Sequence, residues 1–517
     1  MVACSGYHRR RLATDCAVTV HRPNKVRPKL YWKCESNMQR PNILLVIADG
    51  MQSDTVLPEH PCLTPNLEKL ASRGVRFRNA HTTCPTCSPA RASLMTGQLP
   101  HTHGVLEVEH GRDDDQCVLR TEYRHFAQNL SDCGYRTGYF GKWHIERSQD
   151  VARFGWQESV VKGTSHVKNL GRGQAGPPTF ELDESLTGYV EGPPGYKKIL
   201  HWGVTDIPPH KRYPGLTATD AKQFLDERFD APDPWCCCVS FSEPNEALVA
   251  GREAFAQYAP ATLPLPENFF DDLSDRPNIY QREQQIGHPI SEEHWMNARA
   301  CYFARITEID RMVGQLTGQL EAAGQLDNTV VIFLADHGRY VGAHGFDAHN
   351  FGPFEEIYRV PLIMAGPDIT PGSECSAQVS IADVGTTICS IGGTQALETP
   401  DSRCFASLLT EPEVVSEEFQ TGYAEYHGTR FPLMQRIVWQ GDWKFVFNGF
   451  DFDELYNLAD DPFEMTNLAA RPEHQTRIEA MMTEVWRRVR DTNDRAILES
   501  HYFSMRLACV GPDVVEP

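Results

Sequence analysis

Two aspartates follow apolar runs that read as buried strands. The run 43–48 ends in Asp49, and the run 330–335 ends in Asp336 and His337. Carboxylates at strand ends suit a hard divalent cation such as Ca²⁺ or Mg²⁺, and a histidine nitrogen would shift the preference towards Mn²⁺. Either aspartate alone could simply cap a turn. Because the two lie on similar strands, we interpret them as one metal site.

Cationic side chains occur at two further places. Lys142 and His144 are two residues apart after an apolar stretch, and on a strand they would face one side and grip a tetraoxyanion. A solvated edge strand would explain this pair equally well. Arg91 follows Cys87 by four residues, and a helix beginning near Pro89 would place the guanidinium and free N–H groups beside the cysteine.

The elements that position these residues predict an α/β fold. Continuous apolar runs are typical of a parallel sheet buried on both faces, and ligands bind beyond the carboxyl ends of its strands. We expect helices at 65–71, 217–229 and 292–323 between the strands. The prediction is a large, mixed, mostly parallel sheet sandwiched by helices over residues 39–410. It follows an irregular extension over 1–38. Either Met38 is the natural start, or the extension is a loosely attached arm.

The C-terminal part has a different pattern. Residues 435–447 alternate apolar and polar around a Gly441-Asp442 turn, and an amphipathic helix is expected at 473–490. We therefore predict a subdomain over 411–517 with a small antiparallel sheet packed by a helix. This sheet could pair with the same sheet of a second subunit, so an oligomer is one possible state of the protein.

Composition excludes some classes of function. The 517 residues carry a formal net charge of −20, which argues against nucleic-acid binding. The sixteen cysteines, including the run 236–238, lack paired or zinc-finger spacing and are interpreted as reduced thiols. We find neither a signal peptide nor an apolar segment long enough for a membrane. The chain is thus expected to be cytoplasmic, without a membrane partner.

Several motifs together resemble the formylglycine-dependent sulfatases of the alkaline-phosphatase-like superfamily. The resemblance covers about residues 39–490 and follows the order of the family. It rests on Asp49, Thr64-Pro65-Asn66-Leu67, Cys87-Ser88-Pro89-Ala90-Arg91 with Thr96-Gly97, Gly141-Lys142-Trp143-His144, Asp336-His337-Gly338, Phe354-Glu355-Glu356 with Val360-Pro361-Leu362-Ile363, Glu454-Leu455-Tyr456-Asn457-Leu458 and Asp461-Pro462.

The resemblance implies a role for each matching residue. Cys87 would be oxidised to formylglycine by a maturation enzyme, and its hydrated aldehyde would attack sulfur. Asp49, Asp336, His337 and residue 87 would hold one divalent cation, with Ca²⁺ expected first. Arg91 would stabilise formylglycine, and Lys142 and His144 would clamp the sulfate or assist the leaving alcohol.

Three positions depart from the family pattern. Gly50 stands where a second aspartate is common, Asn245 replaces a histidine, and Asn350 replaces a lysine beside His349. We expect Asn245, His349 and Asn350 to form a substrate-binding side rebuilt for an uncommon leaving group. The segments 151–214 and 247–289 are expected to wall the pocket, with Trp156, Tyr189, Tyr196, Trp202 and Tyr213 as aromatic candidates and Tyr426-His427-Gly428 as a further one.

The predicted function is hydrolysis of an organic sulfate ester, with a carbohydrate sulfate expected first and an aryl or alkyl sulfate second. Because position 50 is a glycine and not an aspartate, a phosphonate monoester or phosphodiester hydrolase of the same superfamily is the alternative function. A non-catalytic binder of anionic sugars is a third interpretation, opposed by the retained Cys87, Arg91 and Lys142.

Overall fold

The computed structural model describes residues 40–111, 118–161, 181–192, 194–245, 247–287, 290–429, 433–498 and 507–515. The expected N-terminal extension and Met38 lie outside these ranges. The helices of the described part are α1 Pro65–Ser72, α2 Cys87–Thr96, α3 Pro100–His103, α4 Phe126–Asp132, α5 Tyr213–Asp226, α6 Arg252–Phe255, α7 Asn278–Gly287, α8 Glu292–Ala322, α9 Glu355–Tyr358, α10 Ile381–Ile391, α11 Ala406–Thr410, α12 Gln475–Asp491 and α13 Arg495–Leu498.

The strands form three sheets. They are β1 Asn42–Asp49, β2 Gly74–His81, β3 Arg136–Gly141, β4 Glu158–Val161, β5 Leu182–Val190, β6 Ile199–Thr205, β7 Trp235–Pro244, β8 Leu248–Gly251, β9 Thr329–Ala335, β10 Leu362–Ala365, β11 Ser373–Ser380, β12 Thr421–Tyr426, β13 Gln435–Gln440, β14 Trp443–Asn448 and β15 Glu454–Asn457.

The main sheet has eight strands in the order β11-β2-β10-β9-β1-β7-β3-β4. Strand β10 is antiparallel to β2 and β9, and the other pairs are parallel. Every residue of β1 and β9 is buried, because helices cover the sheet; α5 packs on β7 and β3, and α4 also packs on β3. The predicted mixed, mostly parallel sheet is confirmed.

The smaller sheet has the order β12-β13-β14-β15, and all its pairs are antiparallel. Helix α12 packs against β13 and β14, as the sequence predicts. The main sheet ends at Ser380 and this sheet begins at Thr421. The division of the chain at residue 410 stays a prediction.

A third sheet, β5-β6-β8, was not predicted. Its strands lie in the segments 151–214 and 247–289, which the sequence analysis expected to wall the pocket. Strand β6 pairs in parallel with β8, and α8 packs against both. The sheet therefore places residues 202–205 next to 248–251, beside the long helix α8.

The twelve cysteines of the described part are all free, which agrees with the expected reduced thiols. Cys236, Cys237 and Cys238 lie at the start of β7, between β1 and β3, and are buried. Within the described residues, we find no helix that combines the length and apolarity needed to span a bilayer.

Candidate active site

Cys87 is the first residue of α2, and it is 3 % exposed. The helix begins two residues before Pro89, close to the predicted start, because the chain becomes helical directly after the extended Thr86. The thiol therefore lies at the helix N-terminus, where the first N–H groups have no partners within the helix. Burial and the charge of Asp49 raise the pKa of Cys87 well above its usual value, so the unmodified thiol is neutral.

Asp49 ends strand β1 and Asp336 directly follows the neighbouring strand β9, and the structure brings both to Cys87. The donor atoms of Asp49, Cys87, Asp336 and His337 all lie within 4.8 Å of one another. The Cys87 sulfur is 3.8 Å from Asp49 Oδ1 and 3.0 Å from His337 Nε2. The sequence interpretation placed these four residues at one site, and the geometry agrees with it.

His337 presents a lone pair to this cluster. Its Nδ1 lies 2.8 Å from the carbonyl oxygen of Gly338, which accepts only if Nδ1 carries the proton. In the neutral ring, Nε2 on the side of Cys87 then carries the lone pair that a metal ligand needs. A divalent cation of the hard or borderline class would fit this set of ligands, which consists of two carboxylates, one imidazole nitrogen and the group at position 87.

Arg91 bonds to both aspartates rather than to Cys87. Its guanidinium donates to Asp49 Oδ2 at 2.9 Å and to Asp336 Oδ2 at 2.7 Å, and also to Ser240 Oγ and the Lys142 carbonyl oxygen. All five groups are buried. Arg91 lies in the second helical turn, so its geometry fixes the carboxylates.

Lys142 and His144 do not share a strand face, and that prediction was wrong. Strand β3 ends at Gly141, which has a φ of 110°, and both residues lie in the loop that follows. Lys142 Nζ donates to Asp49 Oδ2 at 2.5 Å. His144, with a φ of 56°, turns towards His110, whose Nδ1 is 2.9 Å from His144 Nε2.

The charges of the site balance within the protein. Burial alone would raise the pKa of Asp49, but Lys142 and Arg91 hold it well below its usual range. Burial would lower the pKa of Lys142, and Asp49 reverses this and raises it. Asp49 and Asp336 are therefore matched by Arg91 and Lys142, so a bound divalent cation would add net positive charge for an anionic substrate.

The positions that depart from the family pattern differ in how close their side chains come to residue 87. Asn245 Nδ2 lies 2.6 Å from Asp49 Oδ1 and 3.9 Å from the Cys87 sulfur. The Nε2 of His349 is 3.5 Å from the same sulfur, and its ring stacks on His337 at 4.0 Å. Both residues border the nucleophile position.

Asn350 contacts its surroundings through its backbone. It has a φ of 71°; its N–H donates to Pro85, and its carbonyl oxygen accepts from the Tyr426 hydroxyl. The side-chain Oδ1 has no hydrogen-bond partner among the described residues. Tyr426 therefore fixes the loop that carries His349 and Asn350.

Sequence reasoning missed Arg339, which is fully buried behind Asn245. Arg339 Nη1 donates to Asn245 Oδ1 at 3.0 Å, and Nη2 lies 3.0 Å from both carboxylate oxygens of Asp347. Asp347 also accepts from His201 Nε2 at 2.8 Å. An arginine two residues after a strand-end histidine was the signal available in the sequence.

The structure places the aromatic candidates in different surroundings. Trp156 and Trp202 are buried in the core, whereas Tyr189 and Tyr196 are exposed. Lys198 lies over the Tyr189 ring at 4.2 Å. His427 bonds Glu425 at 2.8 Å within a buried cluster of charges, and that contact is structural.

Comparison with known proteins decides the family. The family model described as Sulfatase matches residues 41–394, and the model of the N-sulphoglucosamine sulphohydrolase C-terminal region matches 342–491. The chain belongs to the sulfatase family. This sulfatase is a sulfuric ester hydrolase of the alkaline-phosphatase-like superfamily.

Curated relatives extend over most of this sulfatase. It is 30 % identical to a choline-sulfatase of Rhizobium meliloti (strain 1021) over 473 residues, which cover 84 % of this chain and 83 % of the relative. It is 24 % identical to an N-acetylglucosamine-6-O-sulfatase of Bacteroides thetaiotaomicron over 516 residues, 86 % of this chain and 85 % of the relative.

Solved structures share the fold. A phosphonate monoester hydrolase from Silicibacter pomeroyi has a TM-score of 0.73 at 21 % identity, covering 89 % of this chain and 97 % of its own. A protein solved in complex with its substrate D-glucosamine-2-N,6-O-disulfate has a TM-score of 0.70 at 19 % identity, covering 88 % and 99 %.

Proposed function

We propose that this sulfatase hydrolyses an organic sulfate ester with residue 87 in its formylglycine form as the nucleophile. The observation that carries the proposal is the environment of Cys87. Cys87 begins helix α2 and is buried, and its sulfur lies within 4.8 Å of the donor atoms of Asp49, Asp336 and His337. The hydrate of an aldehyde at position 87 would supply a hydroxyl for attack on sulfur and would later expel sulfate to regenerate the aldehyde.

We assign Asp49, Asp336 and His337 to one divalent cation, with Ca²⁺ as the first expectation and Mn²⁺ or Mg²⁺ as alternatives. When bound, the cation would polarise the sulfate and favour the ionised nucleophile. Arg91 fixes the two carboxylates by direct hydrogen bonds. The N-terminus of α2 adds its partial positive charge at residue 87.

Lys142 and Asn245 are proposed to bind sulfate oxygens. Both donate to Asp49 at the edge of the proposed metal cluster, so each places a polar N–H group next to the position proposed for the sulfate. Their donors would stabilise charge that develops on the transferring group. His349, 3.5 Å from the Cys87 sulfur, is proposed to give a proton to the leaving oxygen. His144, committed to His110, is a more distant candidate for this proton transfer.

The partners follow from this chemistry. A formylglycine-generating enzyme must act on Cys87 before the chain folds, because the folded thiol is buried. A sulfated saccharide is one substrate class that a relative's name supports. The free thiols favour a cytoplasmic location.

The phosphonate monoester and phosphodiester alternative is favoured by one observation, the glycine at position 50. Gly50 leaves the cluster with two carboxylates, and its N–H bonds Asp336 at 3.2 Å. Purified enzyme should be assayed with an aryl sulfate, an aryl phosphonate monoester and a phosphodiester. We expect the highest kcat/KM for the sulfate, and a higher value for either phosphorus ester would reverse the assignment.

Mass spectrometry of the peptide that contains residue 87 tests the nucleophile directly. We expect an aldehyde in place of the thiol in protein from the native host, and sulfate release should scale with the converted fraction across preparations. An unmodified thiol in fully active enzyme would refute formylglycine chemistry. Cys87→Ala is the matched inactive control.

A further inference from the structure

A cavity of about 360 Å³ shares wall residues with the active site, and its lining is mostly apolar but also includes His201, Glu283, Arg339, Asp347 and His349. It reaches the active site through two of its wall residues, His349 and Arg339. His349 is 3.5 Å from the Cys87 sulfur, and Arg339 bonds Asn245. The apolar walls come from three separate parts of the chain and include Val190, Ile199, Leu200, Ile286, Phe346 and Phe351.

The charged and polar groups at this wall are largely engaged with one another. Arg339 forms two hydrogen bonds with Asp347, and His201 bonds Asp347 on one ring nitrogen and His294 on the other. Arg339 and His201 are buried. A ligand with many hydroxyl groups would lose its hydrogen bonds to water here and would have to break these contacts to replace them.

Two exposed aliphatic residues line the outer part of the cavity, near the partly exposed Glu283. Ile199 is 69 % exposed and Ile286 is 58 % exposed, and both line the cavity. Isolated exposed aliphatic residues are ordinary on protein surfaces, but two at the mouth of an apolar cavity form a continuous surface with its interior. This surface would bury further carbon atoms of a ligand that extends outwards.

We propose that this cavity binds an apolar leaving group, so that the preferred substrates are aryl or alkyl sulfates rather than sulfated saccharides. The inference rests on the proposed function, because it assumes that the sulfate lies at residue 87. Hydrolysis would cleave one sulfate ester with one water and release inorganic sulfate and the apolar alcohol or phenol. His349 lines the cavity and lies 3.5 Å from the Cys87 sulfur, so its ring would lie beside the ester oxygen that joins the two parts of the substrate.

A homologous series of linear alkyl sulfates tests the proposal, because the reactivity of the ester changes little along it. The wild-type enzyme should show kcat/KM rising from butyl to decyl sulfate. The upper limit is about fourfold for each added methylene, the value for complete burial. A flat series, or a higher kcat/KM for N-acetylglucosamine 6-sulfate than for every alkyl and aryl sulfate, would overturn the proposal.

Variants of the two exposed isoleucines test whether the leaving group binds in this cavity. Ile286→Asn and Ile199→Asn should each lower kcat/KM for decyl sulfate at least fivefold through KM and leave butyl sulfate within twofold. Val414→Asn is the matched control, since Val414 is 65 % exposed and does not line the cavity. Equal chain-length dependence in all four proteins would contradict this location of the leaving group.

Calorimetry with alkanesulfonates separates this proposal from the proposed function, because the C–S bond is not hydrolysed. The matured enzyme should bind decanesulfonate more tightly than butanesulfonate, and Ile286→Asn should reduce the difference. If aldehyde-bearing enzyme releases sulfate from none of the esters, the proposed function fails, whatever the sulfonates do. If it releases sulfate but neither turnover nor binding depends on chain length, only the cavity assignment fails.

Discussion

Arg339 holds Asn245 in one orientation. The guanidinium donates to Oδ1 of the amide at 3.0 Å, and the opposite end of the amide, Nδ2, therefore faces Asp49 at 2.6 Å. Asn245 stands where the resembling family commonly has a histidine. The buried arginine behind it lets a neutral amide present a fixed donor to the site.

Replacing Asn245 with alanine should remove a donor to the transferring sulfate. We expect Asn245→Ala to lower kcat by about 10²-fold with little change in folding, as for loss of one preorganised oxyanion donor. Asn245→Asp should lower kcat further, because a carboxylate beside Asp49 would repel the substrate. Steady-state kinetics with one aryl sulfate measures both effects, and a kcat within threefold of wild type for Asn245→Ala would rule out this donor role.

Substitutions of the adjacent residues His349 and Asn350 should have very different effects on kcat. His349→Ala should lower kcat by about 10²-fold or more through loss of proton transfer, and most for substrates with poor leaving groups. Asn350→Gly should stay within threefold of wild type, because glycine tolerates the φ of 71° and the backbone bonds to Pro85 and Tyr426 remain.

The leaving-group dependence is the decisive measurement for this pair. Aryl sulfates whose phenols span a range of acidities should show a steeper dependence of kcat/KM on leaving-group pKa in His349→Ala than in Asn350→Gly. If both variants turn over the best substrate like the wild type, the rebuilt substrate side predicted from these two positions is wrong.

Removal of the divalent cation should abolish activity without unfolding the protein. The carboxylates of Asp49 and Asp336 are already paired with Arg91 and Lys142, so the empty site keeps balanced charges. We expect dialysis against a chelator to stop sulfate release and to lower Tm modestly. Loss of a ligand present at 100 times its Kd corresponds to about 3 kcal/mol.

Add-back of single cations identifies the metal in the same experiment. Ca²⁺ should restore activity best if the oxygen donors dominate, and Mn²⁺ if the His337 nitrogen does. Asp336→Asn is the matched variant: it should bind the cation more weakly in calorimetry. Full activity in chelator, with no metal found by elemental analysis, would refute the metal assignment.

The sequence predicted that Asp49, Asp336 and His337 lie together, because their positions depend on parallel strands. Asp49 and Asp336 end strands that are neighbours in the sheet, and the carboxyl ends of parallel strands meet at one edge. Helix boundaries and the hairpin at 435–448 followed from periodicity to within a few residues.

The predictions that failed concern the loops after strands. Gly141 ends β3 with a positive φ, so the period-two argument for Lys142 and His144 did not apply. Arg339 and Asp347 are paired across a loop, and His201 comes from a strand that pattern reasoning did not find. Contacts of this kind depend on tertiary structure, which single-sequence periodicity does not encode.

The pair of His101 and Glu425 should make stability depend on pH. His101 lies in α3, and Glu425 lies in β12 of the smaller sheet. Nδ1 of His101 is 2.5 Å from Glu425 Oε1, and Nε2 is 3.2 Å from the carbonyl oxygen of Thr492. Both ring nitrogens thus face acceptors, which favours the imidazolium. Burial would lower the pKa of His101, but Glu425 outweighs it and raises the pKa to about 9.

Because the pKa of His101 is raised in the folded protein, the pair stabilises the fold at low pH and loses this contribution at high pH. An unfolded histidine titrates near 6.5, so the contribution of the pair is complete below that pH and is lost as the pH rises through about 9. Its upper limit is about 3 kcal/mol. Urea unfolding of wild type and His101→Gln should differ most near pH 6 and converge above pH 9, with the surface variant His210→Gln following wild type throughout. A difference that is constant from pH 6 to 10 would mean that packing, not the charge on His101, joins α3 to β12.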